Sequence, residues 1–131
     1  MILIDRLSKV FANDSVALSR VNLRIDPKEF VSIVGPSGAG KSTLIKILIR
    51  EEVPSSGKVI VGGVDYDTLH KRDIPYLRRK IGVVFQDFKL LPGRTVYENV
   101  AFALEITGAR PNVIRHTVPK VIDLVGLTGK E

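Results

Sequence analysis

The clearest chemistry in this sequence lies in residues 35–42, which read Gly-Pro-Ser-Gly-Ala-Gly-Lys-Ser. They match the pattern G-x-x-x-x-G-K-[ST] of phosphate-binding loops. Glycines allow such a loop to turn its amides toward a polyphosphate, because a Cβ would collide or φ must be positive. Lys41 supplies a mobile charge for the β- and γ-phosphates, and Ser42 supplies a hydroxyl for Mg²⁺. The motif predicts a site for the phosphates of a magnesium nucleotide, and we expect this nucleotide to be Mg·ATP.

The segments around this loop predict the elements that must position it. Residues 30–34 form a short apolar run directly before the loop and predict a buried parallel strand. The apolar residues after Ser42 predict a helix with a broad apolar face, whose amino end would add free amides and a positive dipole. Further strands are predicted at residues 2–11, 16–25 and 58–61, and a second buried strand at 81–85.

The second half of the chain predicts two helices. Thr95 and Glu98 have the spacing of a capping box, and apolar residues recur at helical spacing after them. A last helix carries Val118 and Ile122. Pro119 lies inside this helical pattern and is harmless if the helix starts near Thr117, so the pattern leaves that helix boundary open. Strands followed by helices in this order indicate an α/β domain, and 131 residues suit one domain.

Composition narrows the class of protein. Lys plus Arg number 20 and Asp plus Glu 14, a net charge of +6, with the densest basic cluster at residues 78–80. No aromatic residues interleave with these charges, so a solvated face is favoured and no nucleic-acid partner is expected. There are no cysteines, which excludes disulfides and thiolate metal sites. No apolar run reaches the roughly 18–20 residues of a spanning helix, and the start lacks a signal peptide, so a cytoplasmic location is expected.

The phosphate-loop motif alone does not distinguish between three classes of nucleotide-binding protein: motors, GTPases and small-molecule kinases. A GTPase needs a guanine-reading Asn-Lys-x-Asp, which the sequence lacks. Small-molecule kinases usually carry an arginine-rich lid. Arg78 and Arg79 are the candidates for such a lid, and two arginines are weak support for one.

Three segments together resemble the ATPase subunits of ATP-binding-cassette systems: residues 35–43, 54–57 and 77–86. Residues 85–92 and 94–100 are similar to the FtsE family of bacterial cell-division ATPases; lipoprotein-release and macrolide-export ATPases are similar alternatives. The resemblance covers the whole chain. It implies an α/β fold with a P-loop NTPase core and an N-terminal antiparallel β-subdomain. The ATP-binding core would span about 1–86, and the Q-loop and start of a helical subdomain about 87–131.

The resemblance also assigns roles to individual residues. Phe11 falls where the family stacks an aromatic ring on adenine, although the residues alone favour a strand-end core position. Gln86 falls at the Q-loop glutamine, which reaches Mg²⁺ and the attacking water; without the family it would be a surface polar residue. Lys41 and Gln86 are therefore the expected catalytic residues, and Ser42 and Gln86 the expected metal ligands. The expected nucleotide contacts are Phe11, Gly35, Pro36, Ser37, Gly38, Ala39, Gly40, Lys41, Ser42 and Thr43.

An apolar group follows Gln86 and comprises Phe88, Leu90, Leu91 and Pro92. From the residues alone, a core role is as reasonable as an exposed one. The resemblance implies a groove that receives a short cytoplasmic helix of an FtsX-like membrane protein, with movement of the Gln86 segment transmitted to it. It also implies a homodimer of nucleotide-binding subunits and a peripheral location on the inner face of the cell membrane.

Three motifs of the family do not occur in this sequence: the Leu-Ser-Gly-Gly-type signature, the Walker B strand with its Asp-Glu pair, and the switch histidine. His70 and His116 lie in the wrong places for the last of these. We therefore expect these residues to be the N-terminal portion of a longer protein. This portion should bind Mg·ATP but should not hydrolyse it. An unpaired edge beside the predicted P-loop strand should make it marginally stable or self-associating. The alternative is a nucleotide-binding regulatory module that never hydrolyses ATP.

Overall fold

This computed structural model describes residues 1–130, and they divide into two units, Met1–Ile81 and the residues from Gly82 onward. The first unit contains strands β1 (Ile2–Val10), β2 (Val16–Ile25), β3 (Ser56–Val61) and β4 (Val64–Asp65). It also contains helix α1 (Lys41–Leu48), a 3₁₀ turn (Lys71–Asp73) and helix α2 (Ile74–Arg78). The second unit contains helices α3 (Val96–Glu105) and α4 (Pro111–Leu124).

The four strands of the first unit form one antiparallel sheet in the order β2-β1-β3-β4. Ile4 at its centre pairs with Leu23 on β2 and with Val59 on β3. Helix α1 packs on this sheet through Leu44 and Ile47, its two buried residues. The core shared by sheet and helices consists of Ile4, Leu7, Leu18, Leu44, Ile47, Val59, Val61, Tyr66 and Leu77.

A bulge interrupts the pairing of β1 with its neighbours. The register shifts between Ile4 and Leu7, and Arg6 has a left-handed φ of 47° at this point. Gly57 on β3 lies directly against the bulge, because a Cβ at this position would be 2.4 Å from the Arg6 carbonyl oxygen. The extra residue allows Ile4 and Leu7 both to enter the core, which strict alternation would forbid.

The carboxyl end of α1 is fixed by side chains from later in the unit. The Tyr66 hydroxyl donates to the Leu48 carbonyl, and Arg78 donates from Nε to the Ile49 carbonyl at 2.9 Å and from its terminal nitrogen to the Arg50 carbonyl at 3.2 Å. These donors satisfy carbonyls that a helix end leaves without partners. Burial raises the pKa of Tyr66 to about 12, so the hydroxyl remains a donor at neutral pH.

The second unit is a pair of helices with a small core of Ala101, Val118 and Ile122. The predicted capping box is confirmed: Thr95 accepts from the Glu98 amide at 3.1 Å, and the Glu98 carboxylate accepts from the Thr95 amide at 2.8 Å. The backbone hydrogen bond from Thr95 lowers the pKa of Glu98.

The last helix does not start near Thr117, where Pro119 would have been harmless. Helix α4 begins at Pro111 and contains Pro119 in its interior. Pro111 suits the first turn of a helix, where its missing amide would have no partner. The helix continues past Pro119 because Val118 and Ile122 are both almost fully buried against α3, and this packing outweighs the lost hydrogen bond.

The predicted buried strands at residues 30–34 and 81–85 are wrong. Neither segment forms a strand, and Phe30, Val34 and Val84 are 95%, 90% and 98% exposed. A parallel strand is stable only when neighbours satisfy its backbone groups and layers cover both faces. Among the described residues every strand belongs to the antiparallel sheet, so these segments have no ladder partner. Both segments have the apolar composition of buried strands, but several of their side chains are exposed.

This exposure predicts self-association of the chain. An apolar segment with free backbone groups pairs with other copies, so the sedimentation coefficient should rise with concentration. The double substitution Phe30→Lys, Val34→Lys should shift the distribution toward monomer in analytical ultracentrifugation. Leu124→Lys is the matched control, because Leu124 is 85% exposed but lies on a helix. A wild-type chain that stays monomeric at every concentration would contradict this prediction.

Candidate nucleotide-binding site

The phosphate-loop segment, residues 35–40, leads directly into the amino end of α1. Gly38 and Gly40 both have left-handed φ values, 81° and 84°, and Gly40 is the residue that precedes the helix. No side chain caps this helix end, and its first turn contains no acidic residue. The first amides of α1 therefore lack acceptors within the helix and, with the helix dipole, provide a setting for an anion.

Gly40 anchors the phosphate loop to the sheet. A Cβ on Gly40 would lie 2.2 Å from the Ala17 carbonyl oxygen and 2.9 Å from Leu18 Cδ2. Only a residue without a side chain allows this approach, and its backbone conformation also favours glycine. The loop and β2 are thus in direct contact at the start of α1.

Lys41 lies across the phosphate loop. Its Nζ donates at 2.7 Å to the Gly35 carbonyl and at 2.7 Å to the Pro36 carbonyl. Both acceptors are neutral backbone carbonyls, which phosphate oxygens could replace. Ser42 is exposed and Thr43 half-buried at the same helix end.

Phe11 begins the turn between β1 and β2. Its amide donates to the Ser15 carbonyl at 2.9 Å, and its carbonyl accepts from the Asp14 amide at 3.0 Å. The residue is half-buried, so its ring keeps some accessible surface. The chain then enters β2, where Ala17 contacts Gly40. The turn that carries Phe11 is therefore connected through β2 to the phosphate loop of the same unit.

Gln86 belongs to the second unit and is exposed. Just after it, Phe88 and Lys89 both have left-handed φ values, 56° and 50°. Such values are uncommon outside glycine and concentrate at functional segments. The Asp87 carboxylate pairs with Lys89 Nζ at 2.7 Å, and this hydrogen bond lowers the pKa of Asp87.

The apolar group after Gln86 is divided by burial. Phe88 and Leu90 are 79% and 70% exposed, whereas Leu91 is half-buried. Pro92 is exposed. The Leu91 amide donates at 2.8 Å to Asn99 Oδ1, and the Asn99 amide nitrogen donates to the Thr95 carbonyl at 2.9 Å. A core role for Phe88 and Leu90 is excluded within the described residues.

Three residues that contact the predicted functional residues or their segments were not predicted from the sequence. Ala17 contacts Gly40, and Asn99 forms hydrogen bonds that order residues 91–95. The Lys9 ammonium lies 5.0 Å from the centroid of the Phe11 ring. The two-residue spacing of Lys9 and Phe11 was the available signal for the last of these, although Phe11 lies just after the end of β1. Nothing in the local sequence indicates the other two.

The residues present fit a magnesium nucleotide. The amino end of α1 has uncapped amides, two glycines of the phosphate loop have left-handed conformations, and Lys41 supplies positive charge. The Ser42 hydroxyl is accessible to a cation that takes one or two protein oxygens beside phosphate and water. The arrangement can hold the phosphates by backbone amides and one ammonium group.

Comparison with known proteins identifies the family to which this chain belongs. The model of the ABC transporter family matches residues 18–131, and the chain belongs to this family. The fold is the expected one, an antiparallel β-subdomain with the phosphate-loop helix of an ATP-binding cassette.

Particular relatives narrow the resemblance. The chain is 52% identical to the cell division ATP-binding protein FtsE of Bacillus subtilis and 47% identical to FtsE of Mycobacterium tuberculosis; each match covers 99% of this chain and 57% of the relative. It is also 47% identical to the methionine import ATP-binding protein MetN of Photobacterium profundum, covering 99% of this chain and 39% of that protein. The chain thus spans little more than half the length of the FtsE relatives.

A solved structure agrees with the sequence relatives. An ATP-binding cassette described as a dimer in a post-hydrolysis state, bound to ADP and Pi, superposes with a TM-score of 0.83 at 33% identity. The match covers 95% of this chain and 56% of that one.

The contact between Gly40 and Ala17 predicts a difference between two glycine substitutions. Gly38→Ala should cost about 1–2 kcal/mol, because only the left-handed backbone opposes it and no atom lies within 4 Å of the added Cβ. Gly40→Ala should cost about 1–3 kcal/mol more, because the Cβ collides with the backbone of β2. Urea unfolding of both variants measures the difference. Equal losses would show that Gly40 does not anchor the loop.

Proposed function

We propose that this chain is the ATP-binding part of an FtsE-like subunit, which couples ATP binding and hydrolysis to a membrane partner in bacterial cell division. The uncapped amino end of α1, with Lys41 across the preceding loop, is the observation that carries the proposal. The resemblance to FtsE relatives is the reason for proposing a role in bacterial cell division. Lipoprotein-release or macrolide-export ATPases and a non-hydrolysing regulatory module are the alternatives.

Each residue of the site has a proposed role. The amides of residues 35–43 hold the phosphates, and Lys41 transfers its hydrogen bonds from the Gly35 and Pro36 carbonyls to the β- and γ-phosphate oxygens. Ser42 contributes its hydroxyl to Mg²⁺, and Phe11 stacks on adenine. For Gln86, the family resemblance implies the role of the Q-loop glutamine, which contacts Mg²⁺ and the attacking water. A magnesium ion held by these residues would supply neutralisation of the phosphate charge.

Hydrolysis is proposed for the full-length protein as a homodimer of nucleotide-binding subunits. Residues 1–131 contain no apolar strand followed by Asp-Glu that could position the attacking water. The chain of residues 1–131 is therefore proposed to bind Mg·ATP without steady-state turnover.

Nucleotide binding is tested directly by titration calorimetry with Mg·ATP. Lys41→Ala should weaken affinity about 10- to 100-fold, because a charge-assisted hydrogen bond is worth about 1.5–3 kcal/mol. Lys46→Ala is the matched control, since Lys46 lies on the same helix but pairs with Glu51. Equal affinity of the two variants would reject the proposed site. Steady-state phosphate release that Lys41→Ala abolishes would reject the absence of turnover, and phosphoryl transfer to an added acceptor would favour a kinase.

The exposed pair Phe88 and Leu90 supports the proposed membrane partner. Two large apolar side chains, 79% and 70% exposed beside the Q-loop position Gln86, provide a surface for an apolar helix. Because Gln86 would respond to nucleotide, a helix seated here would sense the nucleotide state. The partner would be FtsX-like, and it would hold the subunit peripherally on the inner face of the membrane. None of the described helices is long and apolar enough to cross a membrane.

Substitution of this pair tests the partner. In the full-length protein, Phe88→Ser with Leu90→Ser should reduce co-purification of an FtsX-like membrane protein at least tenfold, because both apolar anchors are lost. Mg·ATP affinity should stay unchanged. Leu124→Ser is the control, since Leu124 is comparably exposed on α4. Undiminished co-purification would place the partner surface elsewhere, and selective recovery of a lipoprotein-release partner would favour that alternative.

A further inference from the structure

Lys9 is held by three different partners at the end of β1. Its Nζ lies 2.8 Å from a Glu52 carboxylate oxygen, donates at 2.8 Å to the Val53 carbonyl, and is 5.0 Å from the centroid of the Phe11 ring. The Lys9 side chain is only 13% exposed. A lysine side chain is usually mobile in water, so three simultaneous contacts fix its ammonium in one place.

The same stretch of chain is fixed by Ser55. Its hydroxyl accepts from the Val10 amide at 3.0 Å and donates to the Val10 carbonyl at 3.2 Å, and its amide donates to the Ser8 carbonyl at 2.9 Å. Residues 52–55 follow the carboxyl end of α1, the phosphate-loop helix. The last residues of β1 are therefore attached to the segment that leaves that helix.

We propose that Lys9 is a positioning residue for the nucleotide base, acting through the Phe11 ring. This rests on the proposed stacking of Phe11 on adenine. The ammonium covers one face of the ring by a cation–π contact and thereby directs the base to the opposite face. Through Glu52 and Val53, it also fixes the distance between the ring and the helix that binds the phosphates.

The size of the expected effect follows from the contact. A cation–π interaction at a partly accessible site corresponds to about two- to fivefold in affinity. The loss should appear only with ligands that carry a base, because the phosphates contact the loop and not the ring. A merely structural tether would instead weaken every ligand that the unit binds.

The experiment compares Mg·ATP with magnesium tripolyphosphate, which has no base, by titration calorimetry. Lys9→Met, which keeps the apolar stem and removes the charge, should weaken Mg·ATP about two- to fivefold and leave tripolyphosphate unchanged. Lys9→Arg should restore most of the ATP affinity, because a guanidinium also stacks on an aromatic face. Lys58→Met is the matched control, since Lys58 has an ion pair of the same 2.8 Å length with Asp65.

A double-substitution cycle with Phe11→Leu separates this inference from the proposed function. If Phe11→Leu alone leaves the ratio of the two affinities unchanged, the proposed adenine stacking fails. If Phe11→Leu changes the ratio but Lys9→Met does not, only the role of Lys9 is overturned. Equal weakening of both ligands by Lys9→Met, or an undiminished Lys9→Met effect in the Phe11→Leu background, also overturns it. Should Lys9→Met fail to fold, Lys9→Gln, which keeps a donor for the Val53 carbonyl, takes its place.

Discussion

The contact between Gly40 and the Ala17 carbonyl is the constraint on which the candidate site depends. It sets the start of α1 against β2 at a distance that excludes any Cβ. The other end of the helix is held by the Tyr66 hydroxyl and the Arg78 guanidinium, which satisfy the last carbonyls. Between these ends, Leu44 and Ile47 are buried in the core of the unit. A helix fixed at both ends and along one side can present its first amides without rearrangement, which favours anion binding.

Residues whose structure depends on near neighbours were predictable from the sequence. The phosphate loop is defined by glycine positions and by the helix that follows it, and the capping box of Thr95 and Glu98 closes within one turn. Both features need only a few adjacent residues. The sequence pattern could therefore predict the identity of the candidate phosphate site and the start of α3 before any tertiary contact was known.

Features that depend on distant partners were predicted wrongly or missed. Residues 30–34 and 81–85 have the composition of buried strands, but composition cannot supply a neighbouring ladder, and both are unpaired among the described residues. Pro119 lies inside α4 because Val118 and Ile122 pack against α3, a contact that helix propensity does not include. The donation from Lys9 to the Val53 carbonyl spans 44 positions, so no local pattern indicates it.

The two ends of the proposed nucleotide site are linked by the short segment after α1. Residues 48–50 receive the hydrogen bonds of Tyr66 and Arg78, and residues 52–55 receive those of Lys9 and Val10. In the ion pair of Lys9 with Glu52, the Lys9 side chain is 13% exposed and the Glu52 side chain 31% exposed. The Ser55 amide bonds to the Ser8 carbonyl and the Ser55 hydroxyl bonds to the Val10 backbone, and these bonds hold the same segment beside Lys9. Of the three contacts of Lys9, only the one with the Phe11 ring reaches the residue that is proposed to stack on the base; the contacts with Glu52 and Val53 attach the ring's end of β1 to the segment after α1.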